Sequence, residues 1–197
     1  MSTSFLSRFA AVPTTALAII LTPNTTHVNE DTIVGGWSTA SFSCDLTEAF
    51  KLTESQRRQR QLHSTIRVNQ SSTAHGTGFI IDRHNGYAVT NWHVIDRGSK
   101  QKNSQPYSIQ FYDPTHPRNV THPYEATLLG GDKERDIAVL QFEPTESTVC
   151  AHFSNGEVLH GDEVTAVGNP LDRNFLYTSG IVADPNFTMN DQASINH

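Results

Sequence analysis

Two cysteines in 197 residues are too few for a disulfide-dense scaffold. Cys44 and Cys150 could form one bridge if the protein is exported, and otherwise read as buried thiols. Positive charge is also scarce. Fourteen Lys and Arg stand against 20 Asp and Glu, for a net charge of -6, so nothing points to a nucleic-acid partner. Arg57, Arg58 and Arg60 lie close together, and a solvated helix face accounts for them better than a phosphate site. Long apolar runs are missing. The unbroken stretch at residues 16–21 is too short to span a bilayer as a helix, which excludes a stable membrane anchor there. No H-E-x-x-H or C-x-x-C pattern occurs, so His63, His75, His84, His116 and His122 read as scattered surface histidines. No metal and no organic cofactor is implied. No sequence repeat of fixed period appears.

What is present falls into four parts. Residues 1–22 resemble a secretory signal peptide: Arg8 precedes the apolar FAAVPTTALAIILT, although Pro13, Thr14 and Thr15 interrupt it and no A-x-A site follows Leu21. That predicts an extracytoplasmic location, periplasmic or secreted. Residues 23–43 are polar and aperiodic, a leader or linker. Residues 44–150 open with a short helix, for which Asp45 can be the cap, with Glu48 three positions on and Leu46 and Phe50 on one face. The QRRQRQ stretch continues or ends that helix. From about residue 64, STIRVNQ, HGTGFII, GYAVTN, YSIQFYD, YEATLLG and DIAVLQFE are short, rich in β-branched and aromatic residues, and separated by Asn85-Gly86, Asp113-Pro114 and Gly130-Gly131. Residues 151–197 add DEVTAVG and FLYTSGIVA. No long amphipathic helix lies between these strands, which argues against a parallel βαβ sheet. The fold expected is all-β, with closed antiparallel barrels.

Three stretches carry chemistry: GTGFIIDRHNGYAVTNWHVI, ending near His93; RDIAVLQFE, which places Asp136 at the head of an apolar strand; and GDEVTAVGNPLDRNFLYTSGIVA. In this order they resemble the chymotrypsin-fold serine proteases, most closely the HtrA/Deg-like branch. That branch carries G-S-G-F-I, T-N-x-H-V, D-I-A-V-L, G-N-P and T-S-G-I-V. The resemblance spans roughly residues 64–197. It implies a trypsin-like double antiparallel β-barrel, with the N-terminal barrel complete and the C-terminal one incomplete. It implies serine-type endopeptidase activity on a protein or peptide substrate, with His93 as base and Asp136 as its orienter. HtrA/Deg-like proteins often act on misfolded envelope proteins and carry PDZ domains, but none of these residues reads as a PDZ segment.

The residue types suit the chemistry. A serine hydroxyl is a poor nucleophile unless a base lies within hydrogen-bond reach and a third group holds the base in one tautomer. Imidazole titrates near neutrality and fits the base. A carboxylate entering an apolar strand requires a partner, which an imidazole N–H can be. Asp113 and Asp132 adjoin Pro114 and Gly131 and read as turn residues. The family's serine follows a D-A-S-I-N stretch as G-N-S-G-G-P. Here QASINH occupies residues 192–197, with Gln192 in place of the Asp, and the pattern would put the serine three positions after His197. No G-x-S-x-G elbow occurs, and Ser179 lies inside a strand-like run. The expectation is a fragment, inactive by itself, that holds base and orienter without the nucleophile. The alternative is a non-catalytic, protease-like scaffold that binds protein partners.

Overall fold

A computed structural model of the chain describes residues 52–70, 74–96, 106–153, 156–171 and 173–185. The signal-like segment, the polar leader, the cap expected at Asp45 and the QASINH stretch lie outside these residues.

The first described element is helix α1 (Glu54–Ser64). Thr53 caps it in an extended conformation and forms a capping box with Gln56, each side chain bonding the other residue's backbone N–H. QRRQRQ is therefore the body of a helix with its own start. The T-x-x-Q signature that marks that start is legible at residues 53–56.

All eight expected strands form: β1 (Thr65–Asn69), β2 (His75–Asp82), β3 (Tyr87–Thr90), β4 (Tyr107–Phe111), β5 (Tyr124–Asp132), β6 (Ile137–Phe142), β7 (Glu163–Gly168) and β8 (Leu176–Ile181). The first six make a closed antiparallel barrel in the order β1-β2-β3-β6-β5-β4, sealed by pairing of β1 with β4. Closure leaves no free edge among these strands. Their inward residues, including Ile66, Val68, Ile80, Ala88, Ile109, Leu140 and Phe142, make one core. Burial alternates along β6 with the period of two that a pleated strand imposes.

The β2–β3 connection runs over residues 83–86 and is held by Asp82. Its carboxylate accepts hydrogen bonds from the Asn85 and His84 backbone N–H groups and from Asn85 Nδ2. Burial raises the Asp82 pKa, but these bonds outweigh it and leave the group below its ordinary value. Gly86 is needed here: its φ is +67°, and a Cβ would sit 1.9 Å from the Phe142 carbonyl oxygen.

β7 and β8 pair with each other as a two-stranded sheet. A second apolar cluster, Leu62, Val120, Val167 and Phe175 with Tyr112 and Tyr177 against it, joins this sheet to the barrel and to α1. Cys150 is buried and disulfide-bonded; the chain's other cysteine, Cys44, lies outside the described residues.

Candidate active site

Barrel register brings the two predicted residues together. β3 and β6 run antiparallel with Thr90 opposite Ala138. The chain leaving β3 and the chain entering β6 therefore emerge side by side at one end of the barrel. His93 lies past the end of the strand. β3 stops at Thr90, and His93 lies in a single helical turn, α2 (Trp92–Ile95). Val94 and Ile95 are buried beneath it while the ring stays at the rim. A four-residue helix is too short to leave a periodic signal, which is why the sequence reads there as a continuing strand.

Several contacts fix this turn. A Cβ on Gly76 would lie 2.4 Å from a Val94 methyl, so β2 offers its glycine face to α2. The Tyr107 hydroxyl donates to the Ile95 carbonyl at 3.1 Å, and Gln70 Nε2 donates to the Asp96 carbonyl at 2.7 Å. Both bonds hold the C-terminal end of the turn. Trp92 packs over Gly131, where a Cβ would meet its ring at 2.7 Å.

Asp136 ends the turn between β5 and β6. Asp132 locks that turn, accepting from the Arg135 backbone N–H at 3.0 Å and from its guanidinium at 2.9 Å. Asp113 likewise caps its own turn through Thr115, so both rival carboxylates are turn residues. Asp136 has φ +54°, a region that side-chain-bearing residues seldom adopt. Strain of this kind concentrates at functional sites and persists where the surroundings over-determine it. Here Asn91 Nδ2 donates to the Asp136 carbonyl at 3.1 Å, and Lys133 forms an ion pair with Asp96 at 3.8 Å.

The outcome is a two-point contact. Asp136 Oδ1 accepts the His93 backbone N–H at 2.8 Å, and Oδ2 lies 2.6 Å from His93 Nδ1. A carboxylate only accepts, so the proton of a neutral ring sits on Nδ1 and Nε2 carries the lone pair. Both side chains are 43% exposed, which leaves Nε2 open to a reacting group. The arrangement suits proton transfer at Nε2, with ring rotation and tautomer fixed from behind.

Asn91 was not singled out in the sequence, although it stands in the T-N-x-H motif that located His93. The isolated histidines do not assemble into a site: His63 packs edge-on against Tyr112, and burial pushes its pKa down. Among the described residues, no group of three or more His, Cys, Asp or Glu side chains could hold a metal ion.

The sequence pattern of the trypsin-like peptidase domain matches residues 76–197. A probable periplasmic serine endoprotease, DegP-like, of Buchnera aphidicola subsp. Baizongia pistaciae is 29% identical over 158 residues, covering 80% of this chain and 29% of that protein. The periplasmic pH-dependent serine endoprotease DegQ of Escherichia coli K12 is 37% identical over 109 residues, covering 55% of this chain and 21% of that one. The crystal structure of the serine endoprotease from Yersinia pestis superimposes with a TM-score of 0.53 at 28% identity, over 68% of this chain and 45% of the other. The chain thus spans under a third of the length of these curated relatives. The chain belongs to the trypsin-like peptidase domain family, in its HtrA/Deg-like branch.

Proposed function

We propose that this chain supplies the base-bearing half of a serine endopeptidase that cleaves protein substrates by acyl transfer. The observation that carries the reading is the contact of Asp136 with both the backbone and the ring of His93. On this reading His93 Nε2 takes the proton from a serine hydroxyl as its oxygen attacks the scissile carbonyl. The same nitrogen then returns the proton to the leaving amine as the C–N bond breaks. Water, deprotonated by His93 in its turn, hydrolyses the acyl-enzyme and regenerates the serine. Asp136 holds the tautomer throughout and stabilises the imidazolium. The serine belongs to the G-N-S-G-G segment that the family pattern places next after QASINH, together with the backbone N–H groups that would bind the oxyanion.

The signal-like residues 1–22 and the periplasmic descriptions of the relatives support action outside the cytoplasm. Among the described residues no helix is long and apolar enough to cross a membrane.

A second reading is a protease-like scaffold that binds partners without cutting them. One experiment separates the two. The protein, in its 197-residue form and in the form extended through the family's serine motif, is incubated with an unfolded protein and with a fluorophosphonate. The endopeptidase reading expects cleavage and labelling from the extended form, both abolished by His93→Ala. Stable substrate binding with neither reaction would establish the scaffold.

A further inference from the structure

Asn169, just past β7, is 1% exposed, and its polar side-chain atoms and backbone N–H are all engaged. Its backbone N–H donates to Thr77 Oγ1 at 2.8 Å. Its Nδ2 donates to the Ile66 carbonyl at 3.1 Å. Its Oδ1 accepts the Phe175 backbone N–H at 3.0 Å. One side chain thus grips β1 and β2 of the closed barrel and, on the other side, the residue that opens β8. Phe175 sits at φ +52°, a conformation that needs such support.

The contacts continue inward. The Thr77 carbonyl accepts the Thr90 hydroxyl at 2.8 Å. Thr90 ends β3 next to Asn91, whose amide holds the Asp136 carbonyl. Apolar contact across the seam comes from a small cluster around Val167 and Phe175. Such contact resists separation but is non-directional, so it leaves sliding and rotation weakly specified. Hydrogen bonds with fixed angles specify both.

We infer that Asn169 is a positioning residue, clasping the β7–β8 sheet at a set orientation to the barrel that carries His93 and Asp136. The inference rests on the endopeptidase reading for its purpose. Base and serine come from opposite sides of the seam and must meet within about 2.6–3.2 Å. A misplacement of about 1 Å can cost roughly 10²-fold in rate.

Nitroxide labels on Glu125→Cys of β5 and Glu163→Cys of β7, both exposed, report the seam by pulsed electron spin resonance. A control pair on Arg83→Cys and Glu125→Cys lies within the barrel region. Asn169→Ala should broaden and shift the first distance distribution and leave the control unchanged. Thr77→Val keeps the Asn169 bonds to Ile66 and Phe175 and removes Thr77 Oγ1, which accepts the Asn169 backbone N–H at 2.8 Å and its Nδ2 at 3.4 Å. It should broaden the seam distance to a smaller extent, and Thr77→Ser should restore it. In the form that cleaves unfolded protein, Asn169→Ala should lower kcat by about 10- to 100-fold with KM little changed. The His93 Nδ1–H resonance should not move, because its Asp136 partner is local.

An unchanged seam distance in Asn169→Ala overturns the inference, as does a shifted His93 Nδ1–H resonance. If Asn169→Ala fails to fold, the Thr77→Val and Thr77→Ser pair decides by the same distances. An extended form, otherwise unsubstituted, that cleaves nothing would sink the endopeptidase reading, while the distances would still decide the clasp.

Discussion

The first barrel and the β7–β8 sheet are built from similar strands, yet they satisfy themselves differently. β6, IAVLQF in sequence, buries every second residue and pairs on both sides, with β3 and β5. β8 pairs with β7, and Leu176 and Ile181 are exposed, Ile181 at 67%. The barrel meets its backbone hydrogen-bonding needs by closing on itself. Among the described residues, the second sheet gains its order from one end, where Val167, Asn169 and Phe175 are buried against the barrel and α1. The His93–Asp136 contact lies wholly on the self-sufficient side. It depends on the β3–β6 register, the α2 turn and the 133–136 turn, all on the barrel side of the seam.

The largest expected effect is on chemistry. Asp136→Asn keeps the shape but lets Nδ1 become an acceptor, which puts the proton on the wrong nitrogen. For triads of this type the loss in kcat is about 10⁴-fold. Steady-state cleavage by the form that carries the serine measures it. Retained activity would detach the pair from the reaction and remove the functional half of the comparison.

Stability should divide along the same line. Leu140, fully buried in the barrel core, is expected to cost about 2–5 kcal/mol on Leu140→Ala. Ile181→Ala in β8 should cost under about 0.5 kcal/mol, as at other exposed sites. Denaturant titration of the 197-residue chain gives both values. Equal costs would mean that β8 is packed as well as the barrel.

A smaller effect belongs to α1, which touches both regions. Arg58 lies 5.1 Å from the centre of the Tyr177 ring and pairs with Glu54 at 3.3 Å. Arg58→Ala should cost about 0.5–1 kcal/mol, partly reversed by salt if the ion pair contributes. Thermal melts at two ionic strengths distinguish the two parts.

The least effect, given as a direction, is on pH. Burial against the seam lowers the His63 pKa, so the unfolded chain binds a proton that the folded one resists. Stability from this group is full above the unfolded value of 6.5 and is lost as pH falls from there through the folded pKa. His63→Gln should flatten that slope. An unchanged slope would assign it to other groups.

Much of this was legible in the residues. Alternating β-branched and aromatic runs identify all eight strands, because a half-buried strand imposes a period of two on its side chains. His93 and Asp136 were legible because their motifs sit where two such strands end. The α2 turn was not, since one helical turn cannot show a period. The helix expected from Asp45 lies outside the described residues, while QRRQRQ, read as its continuation or end, forms the body of α1, which Thr53 and Gln56 cap. Asn91, Thr77 and Asn169 act through hydrogen bonds between a side chain and distant backbone. Such bonds depend on register and leave no local pattern.

The most direct measurement of the central claim is nitrogen-resolved NMR of the His93 ring in the 197-residue chain. It requires neither a nucleophile nor a substrate. The pair geometry predicts a neutral ring protonated at Nδ1, with a strongly deshielded Nδ1 proton that disappears in Asp136→Ala, and a bare Nε2. A ring protonated at Nε2, or one whose tautomer ignores the Asp136 substitution, would contradict the account.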